Sequence, residues 1–270
     1  MPAALASLAS SISGIAALPL ALLCAAAFLA GFIDAIAGGG GMIQLPALLL
    51  ILPQAPIPML FGTNKLASIM GTGTAVAQYT RKLSIPFKVI LPSAVAAFIG
   101  SGLGAKVLTM VPSQYLRPII IVLLVAVSAY LLVKRDFGTT EKPELPFKKE
   151  LLIGLISCFI IGFYDGAFGP GTGSFLIFVF VSMLGMGFLR ASASAKVINF
   201  STNLAAVIYF ALSGNILFQY ALPMAVFNML GGYSGSHMAM LRGNKFVARF
   251  FLLAVALVII KLGIDLAGSF

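Results

Sequence analysis

The sequence contains no tryptophan, one histidine, two cysteines and only seven acidic residues in 270. Charge of either sign is scarce. Charged residues make up 9% of the chain, against roughly 25% in a soluble domain, while 60% is hydrophobic and mean hydropathy is +1.09. So few polar groups cannot cover a water-exposed surface, which excludes a soluble globular protein and makes the bilayer the solvent. Cys24 and Cys158 each lie inside an apolar run. They read as small core residues, and they indicate neither a disulfide framework nor a metal site. There is no His-Glu-x-x-His, nucleotide-binding P-loop or haem signature, so the chain does not itself use ATP and no cofactor is implied. Without tryptophan, interface anchoring falls to Tyr, Lys and Arg. No Lys or Arg precedes Lys65, so the first apolar run lacks the basic flank of a cleaved signal and reads as a retained helix.

What charge there is has a sign, a formal net +10. The bases sit mostly in short loops between apolar runs, so they read as topology signals facing anionic lipid rather than as a nucleic-acid surface. The chain is organised around Gly31-Phe32-Ile33-Asp34-Ala35-Ile36-Ala37-Gly38-Gly39-Gly40-Gly41, an acid deep in an apolar run followed by four helix-breaking glycines. It returns 131 residues later as Gly162-Phe163-Tyr164-Asp165-Gly166-Ala167-Phe168-Gly169-Pro170-Gly171-Thr172-Gly173. At the same offset Leu45 meets Leu176, Lys65 meets Lys196, Leu91-Pro92 meets Leu222-Pro223, and Gly100 and Gly104 meet Gly231 and Gly235. This is an internal duplication.

The expected architecture is an all-α polytopic membrane protein of two inverted repeats, with five membrane segments in each. The first repeat, 1–133, has segments at 12–36, 42–52, 60–80, 86–109 and 114–133. A polar linker follows at 134–149. The second repeat, 150–270, has segments at 150–168, 172–185, 190–212, 216–241 and 246–267. Segment 42–52 is short for a span, and a half-helix or a re-entrant loop would both fit. If all ten segments cross, most bases, including Arg81, Lys82, Lys88, Arg190 and Arg242, fall on one side, leaving Lys106, Arg117 and Lys261 on the other. The positive-inside bias favours that topology, with the linker cytoplasmic and both termini outside the cell membrane. An odd number of crossings per half inverts the halves, and a site then forms at the midplane between them.

Three groups of residues could make that site. Gly38, Gly39, Gly40 and Gly41, with Gly169, Gly171, Thr172 and Gly173, each end one helix and open the next. The unpaired N–H groups and positive dipole end of the new helix suit an anion. Thr63, Asn64 and Lys65, with Ser194, Lys196, Asn199 and Asn203, bring cations and hydrogen-bond donors into apolar segments, where charge is costly unless it functions or pairs. Either lysine could instead snorkel to the interface. Asp34 and Asp165 are the two most embedded acids. They could pair with the lysines as a structural lock, cap the glycine turns or carry protons. Ser234 and His237 loosely suggest an intramembrane hydrolase, but they are neighbours on one helix. A non-transporting scaffold is the remaining alternative. Gly100-Ser101-Gly102-Leu103-Gly104 offers a small-residue face on which two copies could form a homodimer.

These residues carry a resemblance. Gly-Phe-Ile-Asp-Ala-Ile-Ala-Gly-Gly-Gly-Gly at 31–41, then Pro46, Gly-Thr-Asn-Lys at 62–65, Tyr79 and the Arg81-Lys82 pair resemble the sulfite exporter TauE/SafE family, also called toluene sulfonate uptake permeases. The likeness covers nearly the whole chain. It implies a secondary permease, not an enzyme, moving sulfite, sulfonates or related small sulfur-containing anions. Asp34, Gly38–Gly41 and Thr63-Asn64-Lys65 map onto the family's signature positions. The second half departs in detail, with Pro170 inside the glycine run and Ala195 where the first half has Asn64.

Overall fold

The computed structural model describes residues 17–112, 116 and 145–267, with side chains up to Gly243. Among the described residues the chain forms eight helices and no strand. They are α1 Ala17–Ala37, α2 Gly41–Ile51, α3 Ile57–Lys82, α4 Phe87–Met110, α5 Phe147–Ala167, α6 Thr172–Ser182, α7 Phe188–Leu212 and α8 Phe218–Ala267. Gly243 breaks α8 with a non-helical φ of 69° and ψ of −167°, between the expected segments 216–241 and 246–267. Apart from Leu116, the expected segment 114–133 lies outside the described residues, as does the linker up to residue 144. The last three residues assigned to that linker, 147–149, already belong to α5.

Proline sets several starts. Pro56, Pro86 and Pro146 occupy the N-cap positions of α3, α4 and α5, where a missing N–H costs nothing. Helices α1, α4, α5 and α7 are long and apolar enough to cross a membrane. Helix α3, with 26 residues, reaches about 39 Å, but Thr63, Asn64, Lys65 and Gln78 make it more polar. Helices α2 and α6 have eleven residues each, about 16 Å, and are half-helices. Segment 172–185 is therefore shorter than expected. It stops at Ser182, and Gly185, with φ +70°, turns the chain into α7.

The 131-residue offset carries the bounds of α2 onto those of α6, and the first residues of α3 and α4 onto those of α7 and α8. Contacts repeat at the same offset. Gly100 and Gly104 of α4 lie against the carbonyls of Phe159 and Phe163 of α5, and Gly231 and Gly235 of α8 lie against those of Phe28 and Phe32 of α1. Any Cβ at these four positions would strike backbone, so the glycines set the close approach. Of the small-residue face, Gly100 and Gly104 are used inside the chain, while Gly102 meets open space and Leu103 is exposed.

The register also gives directions. In both contacts the residue numbers rise together, so α4 runs parallel to α5 and α8 runs parallel to α1. Helices α3 and α7 cross the other way, with Gly62 beside Phe210 and Gly73 beside Phe200. At their crossing Asn203 Nδ2 donates to Thr72 Oγ1 at 3.4 Å, and these two residues are themselves equivalent by the offset. The equivalent helices α3 and α7 thus run in opposite directions where Thr72 meets Asn203. Leu48, late in α2, joins Leu23 and Ala27 of α1 and Leu60 of α3 in one apolar cluster. Helix α2 therefore turns back along α1 and returns the chain to the end where α1 began.

Candidate functional site

Each repeat breaks its first helix at a glycine turn, and the two turns meet. Gly38 adopts φ +75°, and a Cβ there would run into the backbone of Gly173 and Ser174, so only glycine fits. Ser174 N–H donates to the Gly38 carbonyl at 2.8 Å, and its hydroxyl donates to the carbonyls of Ala37 and Gly38 at 3.1 and 3.0 Å. Tyr79 donates to the Ala35 carbonyl at 2.7 Å, and Ser192 to that of Ile36 at 3.0 Å. The carbonyls that α1 leaves open at its C-terminus are thereby satisfied from α3, α6 and α7.

The embedded charges pair across the repeats. Lys65 Nζ lies 2.6 Å from Asp165 Oδ2, with side chains 3% and 5% exposed. Lys196 Nζ lies 2.8 Å from Asp34 Oδ2, with side chains 0% and 21% exposed. The offset turns one pair into the other. Each lysine of one half therefore binds the acid of the other half, which is the lock geometry, and neither lysine snorkels. Asp34 Oδ1 also accepts from Gly40 N–H at 3.4 Å, so it caps its own turn as well. The four side chains sum to zero formal charge. The two ion pairs thus leave no net positive charge on the lysines.

The starts of α2 and α6 face the same place, and most of their first N–H groups are bonded within the protein, Gly40 N–H to Asp34, Thr172 N–H to the Gly169 carbonyl and Ser174 N–H to that of Gly38. A cavity of about 30 Å³ lies between the two turns, room for about two waters. Gly40 and Gly41 at the start of α2, and Gly171, Thr172 and Gly173 at the start of α6, line it. Two positive dipole ends therefore converge on one space, each equivalent to roughly half an elementary charge. Gly38, Gly169, Asp34, Asp165 and Lys65 complete the charged wall. Asn64, Asn199 and Asn203 face the cavity as well. The buried Oδ1 atoms of Asn64 and Asn199, which can only accept, have no hydrogen-bond partner among the described residues.

Four expected site residues stand outside this lining. Lys196 acts through Asp34. Thr63 donates to the Met59 carbonyl at 2.7 Å and accepts from Leu217 N–H at 3.0 Å, tying α3 to the turn before α8. Ser194 is buried with no partner for its hydroxyl among the described residues, and Gly39 lies in the turn beside Ser174. Conversely, Ser68, Asn228 and Ala30 line the cavity and had not been expected there. Ser68 is the offset partner of Asn199, so the duplication carried that signal. Asn228 is matched by Ala97 and had no such signal; a lone amide in an apolar helix was the only clue. It donates to the Ala27 carbonyl at 3.0 Å and to Gln44 Oε1 at 2.8 Å, and Gln44 Nε2 in turn donates to the Asn64 carbonyl at 3.3 Å. A backbone carbonyl at each end fixes the orientation of both amides in this relay.

Ser234 and His237 do not form a dyad. The Ser234 hydroxyl donates to the Leu230 carbonyl at 2.9 Å, and His237 stacks on Tyr233 with ring centroids 6.3 Å apart.

A family model described as sulfite exporter TauE/SafE matches residues 23–262. The chain belongs to the sulfite exporter TauE/SafE family. Among relatives in this family, a probable membrane transporter protein, ORF9, of Sinorhizobium sp. is 41% identical over 230 residues, covering 84% of this chain and 86% of its own. A probable membrane transporter protein of Haemophilus influenzae is 37% identical over 229 residues, covering 84% and 88%. The probable membrane transporter protein YfcA of Escherichia coli K12 is 32% identical over 264 residues, covering 96% and 95%. No solved structure matches the chain. The chain is accordingly a multi-pass membrane transporter of the TauE/SafE family and not an enzyme.

Proposed function

We propose that this transporter is a secondary permease for a small oxyanion, sulfite or a sulfonate, working by alternating access around the cavity between the two repeats. The observation that carries the reading is the convergence of the α2 and α6 N-termini on one amide-lined space. Positive dipole ends and side-chain amides can replace part of an oxyanion's hydration while the lysines stay paired with acids. The sulfur chemistry rests on the family description alone. The space of about 30 Å³ would have to widen to hold a sulfonate, which parting of the two halves would achieve. The end that carries Arg81, Lys82, Lys88, Lys148, Lys149, Arg190 and Arg242 faces the cytoplasm on this reading. Asp34, the more exposed carboxylate, is where a proton would compete with Lys196 for the lock.

The test is flux into proteoliposomes holding the purified full chain, with sulfite, taurine, isethionate, sulfoacetate, sulfate and chloride compared at matched ionic strength. One sulfur oxyanion should saturate and be carried far faster than chloride. Asn199→Ala, which removes an amide from the cavity wall, should raise KM without unfolding the protein. Equal flux of every anion, or an Asn199→Ala variant identical to the parent, would remove the substrate-site reading.

A further inference from the structure

A second hollow lies away from the site, at the end of the bundle where α3 turns into α4, α5 begins and α6 turns into α7. It encloses about 400 Å³. Its walls combine three kinds of group. Arg190, near the start of α7, contributes a guanidinium whose Nε is buried and has no hydrogen-bond partner among the described residues. Lys88 stands exposed at the rim, and Glu150 is the one acid of the lining. The remainder is apolar, with Phe87 and Phe147 exposed at the mouth and Met186 buried deeper. Among the described residues neither Arg190 nor Lys88 forms an ion pair, with Glu150 or any other acid.

A buried guanidinium nitrogen without an acceptor is costly, and the cost is recovered only when an acceptor arrives. The duplication does not account for the feature. The offset places Met59 where Arg190 stands and Gln219 where Lys88 stands, so the opposite end has no charged counterpart. The cations belong to the end that already gathers Arg81, Lys82, Lys148 and Lys149.

We propose that this cleft binds the head group of an anionic phospholipid, the phosphate taken by Arg190 and Lys88 and the upper acyl chain lying over Phe87 and Phe147. A guanidinium suits a phosphate because its planar fork donates two parallel hydrogen bonds. A lipid rather than a free anion is indicated because the mouth is aromatic and sits at the interfacial end of membrane helices α4, α5 and α7. Glu150 limits the charge that the cleft tolerates, which fits a singly charged phosphodiester better than a phosphate monoester.

The experiment titrates the full chain, purified in a neutral detergent, with phosphatidylglycerol, phosphatidylcholine or inorganic phosphate, and reads bound lipid by native mass spectrometry alongside thermal unfolding. Phosphatidylglycerol should bind about tenfold or more tightly than phosphatidylcholine. The preference should fall in Arg190→Gln and in Lys88→Gln, and should persist in Arg81→Gln, a charge deletion outside the cleft at the same end. Lys88 is exposed, so its variant tests the site without a folding penalty. Equal binding of both lipids would overturn the proposal. So would a preference kept in both cleft variants, or one lost equally in Arg81→Gln. Displacement of phosphatidylglycerol by millimolar inorganic phosphate would overturn the lipid assignment.

Discussion

Lys65→Met separates what the cross-repeat ion pairs do for stability from what they do for transport. The substitution keeps most of the aliphatic volume of Lys65 and leaves Asp165 without its cation, in a side-chain position only 5% exposed. Removing one partner of a buried pair typically costs about 3–5 kcal/mol, because the other charge stays buried and uncompensated. At about 2–4 °C per kcal/mol for a chain of this size, the melting temperature should fall by about 6–20 °C. Lys196→Met strands Asp34, which water reaches at 21% exposure, so its loss should sit toward the lower end of that range. The double variant Lys65→Met/Asp165→Leu leaves no unpaired buried charge and should recover to within about 1–2 kcal/mol of the parent. It should still transport poorly, since both residues line the cavity. The assay is thermal unfolding of the full chain in detergent, followed by flux in proteoliposomes for every variant that folds. A single variant as stable as the parent, or a double variant no better than the single, would refute the lock.

Other substitutions test the packing and the amide relay. Gly104→Ala pushes a methyl group into the Phe163 carbonyl and should lower the melting temperature clearly, whereas Gly102→Ala meets nothing within 4 Å and should be neutral or raise stability by up to about 1 kcal/mol. If the two alanines behave alike in the same melt, the α4–α5 approach is misassigned. Asn228→Leu leaves Gln44 Oε1 and the Ala27 carbonyl without their donor, and should cost about 1–3 kcal/mol in denaturation while raising KM for the transported substrate. A normal KM in a folded Asn228→Leu protein would remove Asn228 from the site. Ser174→Ala removes the hydroxyl that holds the α6 start to the α1 end, and should cost about 1 kcal/mol, read as a modest drop in melting temperature. No measurable change would mean that the Ser174 backbone bond to Gly38 suffices.

The duplication was legible because close helix packing constrains identity. Glycines at 100, 104, 231 and 235 have no alternative against the facing carbonyls, so the repeat survives in letters. The half-helices were legible because four glycines and Gly169-Pro170-Gly171 interrupt apolar runs. The acids and lysines could be picked out as embedded charges, but which acid meets which lysine could not, because pairing depends on how the halves cross. Thr63 and Ser194 looked like ligands because small polar residues near a buried cation suit an anion. Thr63 instead satisfies backbone groups of its own helix and of the turn before α8. Asn228 and Gln44 escaped notice because their equivalents are Ala97 and Phe175, so the asymmetry that makes the cavity polar on one flank erased the repeat signal there.

The neutral pairing of Lys65 with Asp165 and of Lys196 with Asp34 has an electrical consequence. A lone charge moved across the membrane field changes energy by about 2.3 kcal/mol per 100 mV, and a carrier that moved uncompensated lysines would have its empty return step driven or blocked by voltage. Two closed pairs move as dipoles with no net charge, so reorientation of the empty protein should pass almost no gating current. Any voltage dependence of a full cycle then belongs to the cargo and to whatever ion travels with it. The shift of the reversal potential with the cargo gradient would count the net charge moved with each cargo molecule.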